Sequence, residues 1–453
     1  MLEKNSLNVL RQALEKLDSG FAALPELSNS NPDDLRIAEV LATVAERLQD
    51  NYPYFHPLYA GQMLKPPHPV ARLAYALAQW INPNNHALDG GRASSAMEKE
   101  AVSALALMFG WDEYVGHLTG GGTMANLEGL WVAGQLRPGK TIVASEQAHY
   151  THHRISGVLQ LPFESVRCDC RARMDMDALR ERLQKGDVGT VVATMGTTAT
   201  GSVDPLPEIL ALREQYGFRV HCDAAYGGYF VLAGNLAEET RHAFERMRDA
   251  DSIVIDPHKH GLQPYGCGCV LFRDASVGRL YKHDSPYTYF SSKELHLGEI
   301  SLECSRPGAA AVALWATQKL LPLQKGGEFA RGLERSRKAA LEFHRRLASD
   351  QRFIPGFVPE LDIVIFAPRA DSLRATSLLS RAIFEAAAAR NLHLAVTEHP
   401  AEFLGLRNGP AESDPTVTCL RSVLMKPEHE EWIGKIWEIL SEATEAVLRA
   451  QGK

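Results

Sequence analysis

Apolar positions along the chain change period several times, and these changes divide it into segments. Over 34–48, Leu35, Ile37, Ala38, Val40, Leu41, Val44 and Leu48 recur at helical spacing. Residues 51–69 break the pattern: Tyr52, Pro53, Tyr54, Phe55, His56, Pro57 and Tyr59 crowd a loop, a composition that serves an interface or a site more than a core. Helices are predicted near 70–80 and 94–109. Beyond them, short β-rich runs at 140–144, 190–194, 219–223, 252–255 and 269–272 alternate with helical stretches at 122–135, 176–184, 206–216 and 238–248. Strands joined by crossover helices predict an α/β fold, a mostly parallel sheet covered on both faces. The run at 269–272 follows its neighbour through a short Gly/Pro turn, so at least one antiparallel pairing is expected.

A helical apolar segment at 308–321 leads into Gly326-Gly327, where a domain boundary is expected. Past it come a helix (328–347), strands around 357–366, a helix (376–389), strands near 393–397 and 416–425, and a last helix (428–449), a compact α+β unit. The expected division is an N-terminal helical and loop segment (1–69), a large domain (70–325) and a small C-terminal domain (326–453).

At 453 residues, 45% hydrophobic and 23% charged, the chain is long enough for one large and one smaller core. A net charge of −7 without a long basic run argues against nucleic acid as a partner. No apolar stretch approaches the roughly 20 residues that span a bilayer. The first residues lack the basic-then-apolar layout of a secretory signal, so a cytoplasmic location is expected. Seven cysteines, an odd number in a long chain, imply no disulfide framework. Cys267 and Cys269 read as small apolar residues alternating on a strand.

Candidate chemistry begins with Asp256-Pro-His-Lys259, which places a lysine just past a short apolar strand. An amine there can form a Schiff base with an aldehyde cofactor. Asp223 ends another apolar strand, in His221-Cys-Asp-Ala-Ala-Tyr226. Pyridoxal 5'-phosphate needs this pair: a carboxylate for its ring nitrogen, which keeps the ring an electron sink, and an amine for its aldehyde. Thr119-Gly120-Gly121-Gly122-Thr123 runs into an apolar helix, so bare backbone N–H groups and a hydroxyl can cup a phosphate, although such a run is also a common turn. His149, in Ser145-Glu-Gln-Ala-His149, can stack on a cofactor ring or be a core histidine. With His152 and His153 it has helical metal-ligand spacing, but no cysteine or acidic partner stands at matching spacing, so no metal is expected. Thr198 can bond the cofactor's ring substituents or merely fold its own loop, and Asp204 before Pro205 is expected to cap the next helix.

Taken together, the segments 119–126, 145–149, 196–198, 221–226 and 256–259 resemble, in order and spacing, the group II pyridoxal-phosphate-dependent amino acid decarboxylases. The resemblance runs from about 51 to 425. It implies the fold-type I architecture of the aspartate aminotransferase superfamily, a mostly parallel mixed sheet sandwiched by helices with a smaller C-terminal α+β domain. It also implies a homodimer with active sites at the subunit interface, the 1–69 segment contributing to the dimer contact. By position, Lys259 resembles the Schiff-base lysine, His149 the ring-stacking histidine, Asp223 the partner of the pyridine nitrogen and Ala225 the small residue against the ring. Gly121, Gly122, Thr123 and His258 resemble phosphate contacts, and Thr198 a ring contact. The implied reaction is α-decarboxylation of an L-amino acid to the amine and CO2.

The sequence after Lys259, His-Gly-Leu-Gln-Pro-Tyr-Gly-Cys-Gly-Cys, is less like the animal decarboxylases and more like archaeal tyrosine/aspartate decarboxylases and the sphingosine phosphate lyases. The loop that carries a catalytic tyrosine in the animal enzymes has no clean counterpart, and Tyr287 and Tyr289 are candidates for the proton donor by placement alone. A carbon–carbon lyase or an aminotransferase would use the same Lys259, Asp223 and His149. A non-catalytic binding protein on this fold is the remaining rival, against which the complete set argues. Arg306 and Arg421 bind either a carboxylate or phosphate or a structural ion-pair partner, the latter being favoured. The aromatic loop gives a slight lean toward an aromatic substrate over an acidic one.

Overall fold

The computed structural model describes residues 5–25, 34–282, 296–406, 416–450 and 452. Its central strands are Val115–Thr119 (β1), Thr141–Ser145 (β2), Phe163–Val166 (β3), Val188–Thr194 (β4), Arg219–Asp223 (β5), Ser252–Ile255 (β6) and Gly268–Phe272 (β7). Among the described residues these seven form one sheet in the order β1-β7-β6-β5-β4-β2-β3. β3, β2, β4, β5 and β6 pair in parallel. β7 runs antiparallel to β6, as its short turn predicts, and also to β1.

Helices are Ser6–Ser19 (α1), Asp34–Leu48 (α2), Pro69–Gln79 (α3), Leu88–Met108 (α4), Gly122–Leu136 (α5), Thr151–Val158 (α6), Met176–Leu183 (α7), Leu206–Tyr216 (α8), Glu238–Glu245 (α9), Gly278–Tyr281 (α10) and Gly308–Leu320 (α11). Successive strand residues point to opposite faces, and both faces are buried. Val191, Ala193 and Val220 join the large core with α4, α7 and α8. Ile142, Ala144 and Val192 pack instead with Leu130 of α5 and Ile155 of α6.

A second sheet comprises Phe353–Pro355 (β8), Ile363–Pro368 (β9), Ala395–Pro400 (β10) and Thr416–Val423 (β11), in the order β10-β11-β9-β8 and antiparallel throughout. Helices Glu328–Ser349 (α12), Leu373–Ala388 (α13) and His429–Ala450 (α14) close over it on a core that includes Phe343, Phe366, Ile383 and Ile436. The fold is thus α/β with a mostly parallel mixed sheet and a smaller antiparallel sheet in the C-terminal part.

β1 and β3 escape the hydrophobic pattern because each is an edge strand carrying polar or small residues, His117 and Gly116 in one and Glu164 and Ser165 in the other. Of the strands expected around 357–366, β9 falls at 363–368 and β8 lies earlier, at 353–355; their pairing brings Gly356 against Ile365, where a Cβ on Gly356 would meet Ile365 Cγ1 at 2.6 Å. The aromatic loop lies against the C-terminal part, Tyr52 and Tyr59 beside His393 and His56 beside Trp432, while Tyr52 and Phe55 stay exposed. α1 and α2 bury no residue, leaving Leu35 80% and Leu41 60% exposed. Among the described residues no helix is long and apolar enough to cross a membrane.

Candidate active site

The carboxyl ends of the parallel strands open onto a cavity of about 330 Å³, a size suited to a small molecule. Gly121, Gly122, Thr123, His149, Thr198, Asp223, Ala225, His258 and Lys259 all line it, so every cofactor-contact candidate from the sequence converges on one place. Tyr287 and Tyr289 lie outside the described residues.

The glycine run is positioned by close approach. A Cβ on Gly268 of β7 would fall 2.5 Å from the backbone of Gly121, which itself has φ +146. α5 is seated by buried polar contacts: His117 Nε2 to Glu128 Oε2 at 2.9 Å, and His221 between Asn126 Oδ1 (2.9 Å) and Ser252 Oγ (2.7 Å). No side chain caps its first turn, because Gly121 has none to offer. The N–H groups of that turn, with the positive end of the helix dipole, therefore face the cavity ready for an anion.

Asp223 at the end of β5 is 5% exposed. Its Oδ2 accepts from His152 Nε2 at 2.7 Å and its Oδ1 from the Ala225 N–H at 3.1 Å. Burial pushes this carboxyl up, but the His152 hydrogen bond and charge, with Lys259 and the Ala225 N–H, outweigh it and hold the group well below the usual carboxylate range. It is a fixed negative charge in a dry wall.

Lys259 Nζ stands 3.1 Å from Asp256 Oδ2. Among the described residues Asp256 Oδ1 and Thr194 Oγ1 are both buried without a hydrogen-bond partner, and both residues line the cavity. Such orphaned polar atoms are expected where a polar ligand completes the site. His149 Nδ1 accepts from Thr151 Oγ1 at 2.8 Å, which fixes the ring, and burial lowers its pKa. His258 Nδ1 contacts the Cys267 carbonyl at 2.8 Å, and burial lowers it as well. The uncapped helix start, the buried carboxylate and the lysine amine fit a phosphorylated pyridine aldehyde.

Two readings change, those for Asp204 and Arg421, and that for Arg306 holds. Asp204 does not cap α8; its oxygens accept the N–H groups of Met174 and Thr194, both at 2.7 Å, and so tie the 194–204 loop to β4. Arg306 forms the structural ion pair favoured from the sequence, buried against Glu98 at 2.8 Å. Arg421 instead donates to the carbonyls of Thr198 (2.6 Å) and Ala199 (2.9 Å), holding the Thr198 loop from the second sheet. Sequence reasoning assigned no role to Asp256 and treated His152 only as a metal ligand; the signal for Asp256 was its place three residues before the lysine.

A pocket that presents a glycine-wrapped helix start, a charged carboxylate and a lysine amine defines a pyridoxal phosphate enzyme. Residues 131–368 match the pyridoxal-dependent decarboxylase conserved domain. The chain belongs to that family and is a pyridoxal-phosphate-dependent decarboxylase. It is 30% identical to a probable L-tyrosine/L-aspartate decarboxylase of Methanothermobacter thermautotrophicus, across 68% of this chain and 82% of that protein. An L-tyrosine decarboxylase of Enterococcus faecium is 29% identical across 69% of this chain and 68% of that protein. In fold, the crystal structure of Oryza sativa TDC with PLP and tryptamine superposes with a TM-score of 0.78 at 19% identity, covering 98% of this chain and 95% of that one.

Proposed function

We propose that this enzyme removes the α-carboxylate of an L-amino acid, with L-tyrosine the first substrate to test and L-aspartate the second. The tyrosine and tyrosine/aspartate decarboxylases among its relatives support this choice. The single observation that carries the site assignment is the convergence of Asp223, Lys259 and the glycine-lined helix start on one cavity.

When bound, pyridoxal phosphate supplies an electron sink for the bonding pair left on Cα as CO2 departs. Lys259 Nζ would be the amine that holds the cofactor by its aldehyde. Its neighbour Asp256 Oδ2, 3.1 Å away, is placed to exchange a proton with it. The Asp223 carboxylate would hold the ring nitrogen protonated. The first turn of α5, Thr123 and His258 would bind the phosphate; His149 and Ala225 would flank the ring, and Thr198 would hold its substituents.

The division into 1–69, 70–325 and 326–453 is our reading, supported by the two separate sheets. A homodimer is proposed from the exposed apolar faces of α1 and α2, which bury nothing within the chain. Seven unpaired cysteines suit a reducing, cytoplasmic location. A panel of L-amino acids assayed for CO2 and amine tests the reaction. Keto acid without CO2 would make the enzyme an aminotransferase, and aldehyde from a phosphorylated amino alcohol would make it a lyase.

A further inference from the structure

His152 lies in α6, fully buried, and reaches across to the end of β5, 71 residues further along the chain. An ionised carboxylate only accepts hydrogen bonds, so at 2.7 Å His152 Nε2 must be the donor to Asp223 Oδ2. The other ring nitrogen, Nδ1, is buried with no hydrogen-bond partner among the described residues. A histidine kept only for packing would leave that nitrogen at a cost an apolar side chain avoids. Its one polar contact is therefore with the residue that meets the cofactor.

Resting on the cofactor reading above, we infer that His152 is a positioning residue: its Nε2–H fixes Asp223 as a charged acceptor, so that the proton shared with the cofactor's ring nitrogen stays on the ring. The other groups around Asp223 cannot replace it. Lys259 and His149 line the cavity and so approach from the ligand side, and His221, whose ring lies 6.4 Å from that of His152, is already bonded to Ser252 and Asn126. Without His152, one oxygen of a buried carboxylate loses its partner, and the cheapest remedy is to take the proton from the ring.

Nitrogen-15 NMR of the enzyme loaded with ring-labelled pyridoxal phosphate reads the proton directly. The wild-type ring nitrogen is expected to remain protonated from pH 6 to 8. In His152→Leu the proton should be lost tenfold or more readily, about the worth of one hydrogen bond to a charged group. His152→Gln, which keeps a donor at similar reach, should restore the wild-type signal, a rescue that a packing role does not predict. Should H152L prove insoluble, His152→Asn, too short to reach Asp223, takes its place. A wild-type signal in the donor-less variant overturns the inference. If wild-type protein binds no pyridoxal phosphate, or binds it with an unprotonated ring, the cofactor reading itself fails, a separate outcome.

Discussion

Replacing Gly122 with alanine tests how the phosphate end of the site is built. A Cβ there would stand 2.5 Å from Asp256 Oδ2, 2.9 Å from Oδ1 and 3.0 Å from Cγ. Asp256 is only 2% exposed and is held beside Lys259 and His258, so it cannot swing aside freely. Overpacking of this kind costs about 1–3 kcal/mol, whereas alanine in place of glycine favours a helix by about 0.5–1 kcal/mol. The clash prevails, and a net loss of about 1–2 kcal/mol is expected. Gly434 is the control: it lies in α14, exposed, with nothing within 4 Å of an added Cβ, so Gly434→Ala should stabilise by about 0.5–1 kcal/mol. Urea denaturation of both variants without cofactor measures the difference. Titration with pyridoxal phosphate should show about a tenfold weaker Kd for Gly122→Ala, since 1.4 kcal/mol is a factor of ten. If Gly122→Ala matched Gly434→Ala in stability and bound the cofactor normally, the glycine would be a turn residue and the cradle argument wrong.

Lys259→Ala should abolish CO2 release and the visible absorbance band of the bound cofactor; activity that survives would show that another amine serves. Arg306→Met leaves the buried Glu98 carboxylate with only the neutral donors of Asn85 and Leu118 and should cost about 3–5 kcal/mol in urea denaturation, with loss under 1 kcal/mol refuting the buried pair. Stability should also fall on acidification. Burial lowers His221 and His429 to about 3 and His399 to about 4, while it pushes Asp204 up to about 7. Between about pH 6.5 and 4 these three histidines bind protons only in the unfolded chain and Asp204 only in the folded one, and burial lowers His149, His258, His260 and His393 in the same direction as the three. Those four groups alone, a net two protons, make stability fall by about 2.7 kcal/mol per pH unit in the middle of this window. A urea midpoint unchanged from pH 7 to 5 would contradict this.

Much of the site was legible because its chemistry sits at strand ends. Asp223 closes β5, Lys259 follows β6, His149 follows β2 and the glycines open α5, so each motif announces itself by a change of period from 2 to turn to 3.6. The same local signals gave the parallel sheet and the reversed β7. They missed β1 and β3, where an edge position tolerates polar residues that blur the alternation.

Local period and turn chemistry are properties of neighbouring residues, so the chain by itself determined which segments become strands, which residues end them, and therefore the class of cofactor. Which side chains meet depends on strand order and helix approach, which no short window encodes. Only the tertiary structure decided that His152 supports Asp223, that Asp256 stands against Gly122, and that Arg421 reaches from the second sheet to hold the Thr198 loop. Each of these contacts joins residues far apart in the chain that folding alone brings within reach.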